Sequence, residues 1–157
     1  MDFMSNLYFK RAENELNLSI IVLKVSDDKQ LQLSVFGMKE DTYYSAVISH
    51  AYYCIFYAAK AYLLSKSIKT EAPEEHKKTF EEFSKLVEKG IVDVELLKIY
   101  HNLFIKADTL LHIFEFEKGK RGKFTYRRLP QANREPAEES IEHAKFFFKN
   151  IFRLCEK

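Results

Sequence analysis

Residues 43–64 read YYSAVISHAYYCIFYAAKAYLL. Only Ser45, Ser49, His50 and Lys60 interrupt this run as strongly polar side chains. Tyr43, Val47, Cys54, Tyr57, Ala61 and Leu64 share one helical face; Tyr44, Ile48, Ala51, Ile55, Ala58/Ala59 and Tyr62 share another. A helix apolar nearly all round is a buried helix with the other elements packed on it. Ala51, Ala58 and Ala61 let those neighbours approach closely. The run is long enough to cross a bilayer. Lys60, His50 and six tyrosine hydroxyls would each need a partner in lipid, and no second apolar span follows. A soluble protein is therefore expected, with no membrane partner.

Outward from this helix, the 157 residues suit a single domain spanning 1–157. Four glycines and three prolines fit a helical chain with few turns. Fourteen Phe and nine Tyr without Trp predict a ring-rich core. A net charge of +2 is too small to imply a nucleic-acid partner by itself, so the local distribution of charge matters. The N-terminal MDFMSNLYFKRAENEL lacks a secretory pattern. Cys54 in the buried helix and Cys155 near the end make no disulfide framework. A reducing, cytoplasmic setting is expected.

Upstream, a first helix is expected from Ser5 as N-cap, with Leu7/Tyr8, Ala12, Leu16, Ser19/Ile20 and Leu23 as its apolar stripe. Ser26-Asp27-Asp28 reads as a stop. Residues 30–35 alternate like a strand, but a lone strand has nothing to pair with, so a helical continuation or irregular structure is favoured. Asp41 is the expected cap of the central helix. Downstream, Pro73-Glu74-Glu75 reads as a first helical turn, and Lys89-Gly90 as a stop. Asp93 opens a helix running to about Glu117, and the last helix starts between Arg134 and Pro136. The pattern predicts an all-α, antiparallel four- to five-helix bundle around the buried helix 43–65.

Two constellations could carry chemistry. Asp108 and His112 are four apart on one predicted helix, so the carboxylate can orient the imidazole for acid–base work. Lys106 lies about 120° round the same helix from His112, so one helix cannot aim both at one atom unless the lysine's long stem curls round or a second subunit contributes. The bland alternative is a solvated face with an incidental ion pair. The second is Lys118 to Arg128, KGKRGKFTYRR. Lys118, Lys120, Arg121, Lys123, Arg127 and Arg128 can take phosphates, while Tyr126 and Phe124 can stack on bases. Its bland alternative is an exposed loop whose rings pack back on the bundle. Metal ligation, through Asp108, His112 and Glu115, has only fragments of the required pattern. No metal and no cofactor are expected, and His50 reads as a satisfied core histidine.

The order of these pieces resembles the HEPN domain family. The likeness runs through residues 45–61 (SAVISHAYYCIFYAAKA), His76, Phe80, the stop at 87–90, Lys106-Ala107-Asp108 and residues 137–147. It covers residues 41–155, and 5–25 more weakly. The resemblance implies a helical homodimer. It also implies a metal-independent ribonuclease in many members, often a toxin paired with a minimal nucleotidyltransferase as antitoxin. The family's catalytic motif is Arg, four to six residues, then His. Here Lys106 stands in the arginine's place before His112. The motifs of two protomers would face each other, with Lys106, Asp108 and His112 catalytic and the basic run holding RNA. A non-catalytic helical dimer that binds a partner protein, a nucleotide or RNA is the alternative.

Overall fold

A computed structural model describes residues 2–118 and 133–156; for 111–118 it describes the backbone alone. The described chain is helical: α1 (Phe3–Asp27), α2 (Lys29–Ser34), α3 (Tyr44–Ser65), α4 (Glu75–Glu88), α5 (Val94–Lys118) and α6 (Arg134–Glu156). Five of these are the long helices expected from the sequence, and α2 is a short addition. The expected all-helical bundle around α3 is what forms. Among the described residues no helix is long and apolar enough to cross a membrane.

Helix α3 packs on α1, α4, α5 and α6. Val47, Ile48, Ala51, Cys54, Ile55, Ala58, Ala59, Ala61 and Leu63 are wholly excluded from solvent. The tight α1–α3 pair follows from a seven-residue rhythm on α1. Ser5, Ala12, Ser19 and Ser26 are buried at that spacing, where a large side chain would hold the two helices apart. Leu7, assigned above to the buried stripe, is half exposed, because the small-residue ridge lies against α3 instead. On the other side of α3, Phe83 of α4, Tyr100 of α5 and Phe147 of α6 meet with ring centroids 5.5–5.8 Å apart. Phe147 is fully buried.

Several expected caps lie elsewhere. Asp2, not Ser5, caps α1: its side chain accepts from Ser5 N–H at 2.7 Å, while Ser5 itself is buried. Residues 29–34 are helical because Asp28 ends α1 and caps α2, accepting from Leu31 N–H at 2.9 Å. Asp41 does not cap α3. Its carboxylate accepts from the adjacent Thr42 N–H, and α3 starts after Tyr43 with no side-chain cap. Pro73 lies outside α4, which begins at Glu75 after a left-handed Glu74 (φ 59°). Asp93 does cap α5, accepting from Glu95 N–H at 2.8 Å.

Gln32 is fully buried although polar. Its amide donates to the carbonyls of Val25 (2.6 Å) and Asp41 (3.0 Å) and accepts from Asp41 N–H (2.8 Å). One side chain thus joins the end of α1, α2 and the approach to α3.

Candidate functional site

Lys106 and Asp108 ride on α5 but serve different neighbours. Lys106 reaches α6, where its Nζ donates to Glu139 Oε2 at 3.0 Å. The ammonium holds the Glu139 carboxyl below its ordinary range, with His143 one turn further along α6 adding to the effect. Glu139 is a residue the sequence could not supply as Lys106's partner, since it lies 33 positions away on another helix. Asp108 faces the other way and lines a cavity of about 410 Å³ together with residues of α3 and α4. His112 lies one turn beyond Asp108 on α5, within the part described as backbone alone; Lys118 ends the same helix. Lys120, Arg121, Lys123, Tyr126, Arg127 and Arg128 lie outside the described residues.

The cavity beside Asp108 was not legible as a site in the sequence. Its walls are Tyr52 and Tyr53 of α3, Glu75, His76 and Lys77 at the start of α4, and Phe104 and Asp108 of α5. At its base, the Tyr52 hydroxyl and His76 Nδ1 share a hydrogen bond of 2.8 Å. The His76 ring stacks on Phe56 with centroids 3.9 Å apart. Burial, and then the charge of Lys60, push the His76 pKa down, so the ring is neutral near pH 7. Burial, then the neighbouring acidic groups of Tyr53 and Asp108, push the Tyr52 phenol up, so it keeps its proton. The central helix thereby brings a hydroxyl and two rings to this cavity.

Lys60 supports the same place from beneath. It is buried at 5% exposure, pairs with the Glu75 carboxylate and lies 4.7 Å from the centre of the Tyr8 ring. A buried ammonium needs such partners. His50 is satisfied as expected: its Nδ1 lies 2.7 Å from Glu15 Oε2, and Arg11 Nε donates to the other oxygen of that carboxylate at 3.1 Å. Among the described residues, no group of three His, Cys, Asp or Glu side chains is placed to hold a metal ion. Cys54 and Cys155 are free thiols, and burial raises the pKa of both.

No curated protein and no solved structure matches the chain. The family model described as the HEPN domain matches residues 34–154, from the end of α2 through nearly all of α6. That stretch includes α3, α4 and α5, which build the cavity, and both Lys106 and Glu139. The chain belongs to the HEPN domain family.

Proposed function

We propose that this HEPN protein acts on RNA as a homodimer, cleaving it without a metal ion. The observation that carries the reading is the placement of Lys106, Asp108 and His112 on the single continuous helix α5. Lys106 and His112 are separated by about 9 Å along the axis and about 120° around it. Two copies of the helix, side by side, bring the lysine of one to the histidine of the other. His112 then takes the proton of a ribose 2′-hydroxyl. The 2′-oxygen forms a bond to phosphorus, the bond to the 5′-oxygen breaks, and the leaving oxygen takes up a proton. The product carries a 2′,3′-cyclic phosphate. Asp108 orients His112, and Lys106 stabilises charge on the phosphorane. The basic run from Lys118 to Arg128 holds the strand. A toxin-like role in the cytoplasm, with a minimal nucleotidyltransferase as antitoxin, is part of the same proposal.

The test is cleavage of RNA in the presence of a chelator by the full chain and by His112→Ala. The wild type is expected to cut and the variant to lose the activity. Equal rates in both, or none in either, reject the catalytic reading.

A second reading, a non-catalytic helical dimer that binds a partner protein or nucleotide, is favoured by one observation: the charge of Lys106 is already matched by Glu139 at 3.0 Å. Recovery of a nucleotidyltransferase in a pull-down, with no RNA cleavage, selects it.

A further inference from the structure

We infer that the cavity between α3, α4 and α5 is a base-recognition pocket for guanine. The inference deepens the RNA-directed reading by naming the base that this face of α5 selects. Its volume, about 410 Å³, lies in the range of small-ligand pockets. Tyr53 and Phe104 are half-buried on its walls and offer the flat apolar faces on which bases stack.

The polar groups select among bases. Asp108 supplies carboxylate acceptors. The Tyr52 hydroxyl and His76 Nδ1 share a 2.8 Å hydrogen bond; in the tautomer in which Tyr52 donates, the neutral ring carries its proton on Nε2 and is a donor there. Guanine presents the complement on one edge: N1–H and the 2-amino group for a carboxylate, and O6 for a donor. Adenine and cytosine pair one amino group with a ring acceptor, and uracil sets its single N–H between two carbonyls. Neither pattern uses both carboxylate oxygens. A carboxylate has about four lone-pair sites, so orienting His112 leaves Asp108 capacity for a base. Glu74 and Glu75 also line the cavity, and their carboxylates disfavour a phosphate inside, which leaves the sugar–phosphate part outside. Aromatic walls with carboxylates could also hold an organic cation, but the Nε2–H donor of His76 and the ammonium of Lys77 oppose one.

The experiment is calorimetric titration of the full chain with guanosine 5′-monophosphate, beside the adenosine, cytidine, uridine and xanthosine monophosphates. Saturable binding with preference for the guanine nucleotide is expected. Asp108→Asn should weaken that binding about tenfold or more and favour xanthosine monophosphate, whose 2-oxo group accepts from the new amide. A gain for xanthine separates base contact from a merely structural effect. His76→Ala, a second variant, should weaken the guanine nucleotide and narrow its preference without abolishing it, since Asp108 still meets N1–H and the 2-amino group. Short RNAs with a single guanosine or inosine distinguish a base within a strand from a free nucleotide. Tighter binding of the guanosine RNA than of the mononucleotide assigns the strand, and the reverse assigns the nucleotide. No nucleotide binding, equal binding of all bases, tetramethylammonium binding in their place, or an Asp108→Asn variant with unchanged preference overturns the inference. Guanine binding without RNA cleavage rejects the catalytic reading alone; cleavage without guanine binding rejects this inference alone.

Discussion

Glu139 on α6 holds Lys106 on α5 through a 3.0 Å hydrogen-bonded ion pair. The one cation of the motif therefore stands at a defined position rather than on a free stem. Its charge is also partly spent before any phosphate arrives.

Replacing Glu139 by Gln releases that charge. Because Glu139 is about half exposed, the pair is a surface one and the loss in stability should stay below about 1 kcal/mol. RNA cleavage by the variant should rise, as should cleavage by Lys106→Arg, whose planar fork can bind phosphate through two bonds. Urea unfolding and a single-turnover cleavage assay check the two halves. The depressed Glu139 pKa adds a sign: stability from the pair is present above the ordinary carboxylate pKa of 4.5 and is lost as pH falls through the lower folded value.

His76 gives a second pH dependence. Its folded pKa lies below the ordinary 6.5, so the unfolded chain binds that proton first. Above pH 6.5 the residue contributes no slope; as pH drops below it, stability falls. His76→Gln should flatten the stability profile there relative to wild type, measured as urea midpoints across the window. An unchanged slope would show that the ring protonates equally in both states.

Lys60 and Glu75 form a pair with one member buried and the other about a third exposed. Lys60→Met leaves the Glu75 carboxylate without its ammonium. Losing one member of a fully buried pair costs about 3–5 kcal/mol; Glu75 can turn to water, so about 2 kcal/mol is expected. Adding Glu75→Gln should return most of it. A double variant no better than the single one would mean that Lys60 acts through its stem alone.

Phe147 tests the ring cluster. It is wholly buried and meets Phe83 and Tyr100 edge-on or tilted. Phe147→Ala should cost about 3–5 kcal/mol, visible as a large drop in melting temperature, whereas Phe146→Ala, at a half-exposed neighbour, should cost little.

The fold was legible where apolar periodicity and burial coincide. Residues 43–64 announced the central helix because an element surrounded on all sides has no wet face to encode. The ends were harder. Asp41 has the right chemistry for a cap, but its carboxylate serves Thr42. Pro73 has the right geometry for a first turn, yet the helix waits for Glu75. On α1 the buried ridge is small and partly polar, Ser5, Ala12, Ser19 and Ser26, so a search for large apolar residues misses it. Of the candidate site, the set on α5 could be read from spacing within one helix. Glu139, His76 and Tyr52 could not, since each reaches the site through a contact between helices.

Gln32 has a consequence beyond holding a turn. Its amide is read in both directions at once, giving protons to two carbonyls and receiving one from Asp41. Glutamate has the same outline but no proton to give, so it would face two oxygens with a charge. At this buried corner shape is therefore not enough. The asymmetry between the nitrogen and the oxygen of one side chain selects the path by which the chain leaves α2 and enters the central helix.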